Sequence, residues 1–211
     1  GFSTSPEPLA LSHAGLALDA LESQVAGGEA LGKEQMAQAS WIVTHAARSV
    51  LPGDGILLPR LKALQLQYAD QAVPSPEKPL KLDQPLARLA LTLRMQELLK
   101  LSPAETTADP SAEFYPGAVP ADAPRVDKAL QVDTRVPDWH STGLYAAPGE
   151  AITVTLPQEA AGKGLHVRIG CHTDGIWHLD QWKRAPEISS IRSACASSPS
   201  PAASSRLGRT R

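Results

Sequence analysis

The residues best suited to chemistry crowd into one short stretch, Cys171-His172-Thr173-Asp174, followed by His178 and Asp180. His172, Asp174 and His178 offer nitrogen and oxygen ligands to a metal, and Cys171 a thiolate. The plainer reading is a polar loop after a strand, its side chains bonded to backbone. H-x-D is a common tripeptide, and neither half repeats a known zinc spacing. His140-Ser141, with Asp174 further on, has the residue types of a nucleophile, a base and an orienting acid. Adjacency in sequence does not place a base within reach of a serine, and no G-x-S-x-G elbow occurs. Trp139, Trp177 and Trp182 all fall within residues 135–190. Indoles there can stack on sugar faces or serve as ordinary core and lid residues. His13 and His45 sit amid small apolar residues on helical segments and read as structural or surface histidines.

Other chemistry is missing from the sequence. There is no G-x-x-x-x-G-K-[ST] and no G-x-G-x-x-G after a strand. H-E-x-x-H, which sets two histidines one helical turn apart around a glutamate base, does not occur, and no histidine is followed by glutamate. The two cysteines, Cys171 and Cys195, form no close pair of the redox or zinc type.

These residues need elements to position them. Residues 9–26 carry Leu11, Ala14, Leu18, Leu21 and Val25 at steps of three and four, a helical face ended by Gly27-Gly28. Ser12 is a possible cap for a shorter version. Residues 33–50 repeat the pattern with Met36, Ala39, Val43, Ala46 and Val50, a stripe that Trp41 and Ile42 widen. A third helix is predicted over 57–72 through Leu57, Leu61, Leu64 and Tyr68, with Pro59 in its first turn. A fourth is predicted over 83–100 through Leu86, Leu89, Leu93 and Leu98, with Asp83 as N-cap and Pro85 in the first turn. Four amphipathic segments with short breaks predict an antiparallel bundle over 9–101, held by packing because no helix of this length is stable alone.

Residues 102–134 space five prolines among Ala, Asp, Glu and Thr and read as an extended Pro-rich linker. From 135 to 190 the pattern turns to β. Residues 151–156 and 165–170 alternate apolar and polar side chains, and Gly162-Lys163-Gly164 marks a turn. So few strands cannot bury a face unaided, so this part needs more chain or the bundle to cover it. The Ser/Ala/Pro/Arg tail over 191–211 has no apolar pattern and is expected to be disordered. Such a tail is also what an out-of-frame reading of GC-rich DNA would produce. The fold class expected is α+β.

Charge narrows the partners. The formal net charge of −2 hides an asymmetry: residues 192–211 hold four arginines and no acid, leaving 16 basic against 22 acidic residues, a balance of −6, in the body. An acidic body argues against nucleic acid, which needs a basic stripe to displace phosphate counterions. No apolar run reaches the ~20 residues of a membrane span. The chain opens on Gly1-Phe2-Ser3-Thr4 without a signal-peptide pattern.

The blocks Trp139-His140-Ser141-Thr142-Gly143-Leu144-Tyr145, then Ile152 to Pro157, then Val167-Arg168-Ile169-Gly170-Cys171-His172-Thr173-Asp174, then Trp182-Lys183-Arg184-Ala185-Pro186-Glu187-Ile188-Ser189, occur in an order that resembles the start of the enhancin-like peptidase domain, peptidase family M-sixty. The preceding helices are similar to the helical domain of a secreted member of that family. The resemblance implies a secreted zinc endopeptidase acting on O-glycosylated, mucin-like proteins. In the family two histidines of H-E-x-x-H and a downstream glutamate hold the zinc, and the motif's glutamate activates water. None of those positions has a match here, so no catalytic residue is expected and no zinc in this chain. The expectation is a truncated, non-catalytic portion of such an enzyme. The alternative is a glycan- or host-protein-binding module using Trp139, Trp177 and Trp182. A hydrolase built on His172, Asp174 and His178 is the third reading.

Overall fold

The computed structural model describes residues 8–102, 104–146, 152–160, 162–170, 175–187, 189–193 and 205–207. Helices α1 (Pro8–Val25), α2 (Lys33–Ser49), α3 (Leu57–Gln67) and α4 (Pro85–Leu98) form the bundle. Short strands follow and intervene: β1 (Leu80–Lys81), β2 (Ile152–Val154), β3 (His166–Gly170), β4 (Gln181–Trp182), β5 (Ser189–Ser193) and β6 (Ser205–Leu207). The fold class is α+β, as the sequence predicts.

Local chemistry sets the helix ends. α1 stops where Gly27 adopts φ +82, a left-handed conformation that costs glycine nothing. The next residue has no room for a side chain, because a Cβ on Gly28 would stand 2.9 Å from the Ser23 carbonyl oxygen and against its Oγ. α3 begins at a carboxylate that the sequence reading left unused: Asp54 Oδ2 accepts from the amides of Ile56 (3.2 Å), Leu57 (2.7 Å) and Leu58 (2.8 Å). α4 begins at Gln84 with Pro85 in its first turn, so Asp83 is not its cap. α3 also ends five residues before the expected 72, its last carbonyls taken up by a turn at Tyr68. Ser12 lies inside α1 rather than at its start.

The core collects the predicted stripes. Ala14, Leu18 and Leu21 of α1, Val43 and Ala46 of α2, and Leu57, Leu61 and Leu64 of α3 are buried. Burial stabilises at about 25 cal/mol per Å² of apolar surface. Trp41 departs from expectation: it is exposed and stacks on His45, ring centroids 3.8 Å apart, instead of widening the α2 stripe. α4 departs further. Every residue from Pro85 to Leu93 is buried, not one stripe alone. α4 packs against α1, α2 and α3 and also faces β1 and β4, so it is the central element of the body. A helix enclosed on all sides must bury its polar positions too, here Arg88 and Thr92.

The first half of the expected linker is part of this body. Asp109, Ser111 and Ala112 are buried around a 3-10 turn at Pro110–Glu113. Asp109 accepts from Ser111 N (2.9 Å), Ser111 Oγ (2.6 Å) and Arg94 Nε (2.7 Å), while Arg94 also donates to the Ala72 carbonyl at 2.6 Å. Residues 118–146, which include the start of the stretch expected to be β, form no helix or strand and carry exposed Val126, Val136, Leu144 and Tyr145.

β2 and β3 lie within the two stretches predicted to be strands, and Gly162 and Gly164 both take positive φ at the expected turn. β3 pairs antiparallel with β5, and β2 with β6. Their apolar residues Ile152, Val154, Val167 and Ile169 are only half-buried. β6 and part of β5 fall in the Ser/Ala/Pro/Arg tail, most of which lies outside the described residues. Strand pairing uses backbone N–H and C=O groups, which an unpatterned sequence still carries. No helix among the described residues is long and apolar enough to cross a membrane.

Candidate functional site

The site is built where residues 175–187 dock on the bundle. The segment folds back on itself: Ile176 N donates to the Pro186 carbonyl at 3.0 Å, and Leu179 N to the Ile176 carbonyl at 3.0 Å. Its strand β4 pairs with β1, placing Trp182 opposite Leu80. Trp182 is buried (5% exposed), as are Ala185 and Pro186.

Arg88 of α4 secures the join. Its guanidinium lies 4.1 Å from the Trp182 ring centroid. Its Nη2 donates to the Leu179 carbonyl at 2.8 Å and to the Leu80 carbonyl at 3.4 Å. Burial pushes the Arg88 pKa down to about 10, while the carboxylates of Asp180 and Asp83 act in the opposite sense. Among the described residues, Arg88 Nε and Trp182 Nε1 are buried without a hydrogen-bond partner. A second, exposed link joins Lys33 at the start of α2 to Asp180. Such surface pairs contribute about 0–1 kcal/mol. The guanidinium and the indole therefore carry more of the join than the ion pair does.

Trp177 sits edge-on to Trp182, centroids 5.5 Å apart and planes at 85°. It is 41% exposed. Trp139 belongs elsewhere: it is 45% exposed, with the Arg168 guanidinium 4.1 Å over its ring. The three tryptophans of the glycan reading are therefore not equivalent. Trp177 and Trp182 meet, Trp182 is enclosed by the bundle and offers no open face, and Trp139 pairs with β3.

His178 is exposed on the same docked segment. Cys171, His172 and Asp174, on which the metal reading and the His140–Ser141–Asp174 reading rest, lie outside the described residues. Among the described residues no group of three or more His, Cys, Asp or Glu is gathered as a metal site would require. Ser141 is in an exposed turn, its Oγ accepting from Gly143 N at 3.4 Å. His13 and His45 are surface residues, and His45 Nδ1 donates to the Trp41 carbonyl at 2.9 Å. Arg88 escaped the sequence reading. Its signal was there: a lone charge within the apolar run Leu86, Ala87, Leu89, Ala90 and Leu91.

Residues 121–198 match the N-terminal domain of M60-like peptidases. The chain is 43% identical over 51 residues to a TRPM8 channel-associated factor homolog of Danio rerio, covering 24% of this chain and 6% of that protein. It is 46% identical over 50 residues to TRPM8 channel-associated factor 2 of Homo sapiens, covering 24% of this chain and 5% of that protein. It is 39% identical over 61 residues to the human TRPM8 channel-associated factor 1, covering 29% of this chain and 6% of that protein. The chain thus spans about 5–6% of the length of these relatives. No solved structure matches. The β-part of this chain is therefore similar to the N-terminal domain of M60-like peptidases, and the segment that docks on Arg88 falls inside the matched residues.

Proposed function

We propose that this chain is a non-catalytic N-terminal portion of a secreted zinc metallopeptidase acting on O-glycosylated, mucin-like proteins. The observation that carries the reading is the match of residues 121–198 to the N-terminal domain of M60-like peptidases. Within these 211 residues H-E-x-x-H does not occur, so the zinc ligands and the water-activating glutamate belong to other parts of such an enzyme. When bound there, zinc would activate water and polarise the scissile carbonyl. The role left to this chain is support. The bundle holds residues 175–187 through Arg88, Trp182 and the Lys33–Asp180 pair, and so fixes one end of the β-part.

The test is proteolysis of an O-glycosylated mucin, with zinc supplied and a chelator control. The purified chain should leave the mucin intact. A longer protein carrying this segment ahead of H-E-x-x-H should cleave it in a chelator-sensitive way. Chelator-sensitive cleavage by the chain alone would overturn the non-catalytic reading, with His172, Asp174 and His178 the first residues to substitute. Absence of cleavage by the longer protein would overturn the peptidase reading.

The second reading is a glycan- or host-protein-binding module without chemistry. One observation favours it: Trp177 is held in place yet stays partly open to solvent.

A further inference from the structure

We infer that residues 179–186 are a linear docking motif, that the helical bundle is its reader, and that the reader takes the same motif from a second copy of this chain as well as from its own. The inference concerns binding alone and does not rest on the peptidase reading.

The motif has the pattern Asp180-x-Trp182-x-x-Ala185-Pro186, and its positions are read one by one. The Leu179 carbonyl accepts from Arg88 Nη2 at 2.8 Å. Asp180 pairs with Lys33 at the start of α2. Gln181 and Trp182 lie in antiparallel register with Lys81 and Leu80, so their backbone is read by β1. The Trp182 ring lies under the Arg88 guanidinium and joins the core of the bundle. The Arg184 guanidinium stands 5.6 Å from the ring centroid of Tyr115, at the end of the segment that Asp109 ties to Arg94 of α4. Ala185 and Pro186 are buried. This is strand addition with side-chain anchors, in which backbone pairing supplies affinity and the anchors supply specificity.

Reader and motif behave as separable units. Among the described residues beyond 117, Ile176 and Trp182 are the ones that pack with the core cluster, whereas Ile152, Val154, Val167 and Ile169 of β2 and β3 do not. The attachment is therefore concentrated in one short segment, and its ladder has only two residue pairs. Residues 118–146 lead towards it without helix or strand. At ~3.3 Å per residue that stretch can reach roughly 95 Å, against roughly 27 Å for the 18 residues of α1. The matched residues 121–198 contain the motif, and its reader lies outside them. A short motif on a long tether competes by mass action with the same motif from another molecule. The sequence already seated on the reader is this chain's own, so a second copy carries a ligand that fits it.

The experiment adds a labelled peptide of residues 175–187 to the intact chain. Trp182→Ala removes the chain's own anchor, so this variant should bind the peptide. The parent should bind it at least about tenfold more weakly, because the tethered motif competes at an effective concentration of about millimolar. The peptide carrying Trp182→Ala should lose about tenfold or more, the scale of one anchoring aromatic. The peptide carrying Asp180→Asn should lose less than about fivefold, since the ion pair is exposed. Hydrogen exchange on the parent needs no folded variant: with the peptide in excess, amides of 175–187 should lose protection while those of α1 and α2 keep theirs. Mixing Trp182→Ala chains, which offer a reader, with Arg88→Met chains, which offer a motif, should give a species of twice the chain mass in sedimentation that neither variant forms alone. Equal binding of the parent and Trp182→Ala peptides, unchanged exchange of 175–187 at millimolar peptide, or absence of the mixed species from folded variants would each overturn the inference. None of these outcomes bears on zinc-dependent cleavage by a longer protein, so the two readings fail separately.

Discussion

Arg88 and Trp182 stand 94 positions apart in sequence, yet the guanidinium of one lies 4.1 Å over the ring of the other. This contact joins the helical bundle to the segment that matches a peptidase N-terminal domain. A cation over an indole contributes about 0.5–2 kcal/mol, more when water is excluded. Arg88→Ala removes that contact and also leaves the Leu179 carbonyl without its donor. The expected loss of stability is about 2–4 kcal/mol. Urea unfolding measures it, and a red shift of Trp182 emission should accompany it. Arg88→Met keeps the volume and loses less. The pH dependence has a definite sign. The folded pKa of about 10 lies below the ordinary arginine value, so between the two the unfolded chain binds more protons. Burying the charged form therefore opposes folding at neutral pH, and that opposition is relieved only as pH rises through about 10.

Asp109 is the corresponding staple for residues 104–117. Asp109→Ala would leave the Arg94 guanidinium and the Ser111 amide short of their acceptor inside the body. Removing one partner of a buried pair costs about 3–5 kcal/mol. Arg94 keeps the Ala72 carbonyl and some exposure, so the expected cost is the lower end, about 3 kcal/mol. Limited proteolysis should then cut within 104–117 before it cuts the helices.

Asp54 gives an acid-limb prediction. Hydrogen bonds from the amides of Leu58, Leu57 and Ile56 hold its pKa below the ordinary 3.8, against the opposing effect of burial. A carboxylate with a depressed folded pKa contributes stability above its unfolded pKa and loses it as pH falls through the folded value. The parent should therefore lose stability on acidification below about pH 4 more steeply than Asp54→Asn. Asp54→Ala should lower the urea midpoint at pH 7 through the lost cap. A parallel acid limb in parent and Asp54→Asn would contradict this role.

Hydrogen exchange should divide the chain unevenly. Amides in α1, α2 and α4 should be the most protected, since their helices enclose the core. Those of 118–146 should exchange fast, because the stretch has only isolated turn hydrogen bonds such as Val136 N to the Asp133 carbonyl at 3.2 Å. Residues 175–187 should follow the bundle, through β1–β4 pairing and Arg88, and lose that protection in Arg88→Ala. Equal protection throughout would contradict this partition.

Short-range pattern along the sequence specifies the four helices, the breaks between them and two of the strands. Those features answer to short-range rules: apolar side chains every three or four residues, Gly27 at a left-handed end, proline in a first turn, and alternation along 152–154 and 166–170. The sequence also determined which motifs are missing, because a motif is a fact of order along the chain. Only the tertiary structure shows that α4 is central, that Arg88 is buried, and that Trp182 is enclosed while Trp177 stays half-open. Each of these depends on contacts between residues far apart in the chain. The apolar run around Arg88 marks it for a helix core, but which elements close over it is not written along the chain, and Trp177 and Trp182 differ only in which of them the bundle covers. A one-dimensional pattern records what a side chain prefers, whereas burial depends on which elements close around it.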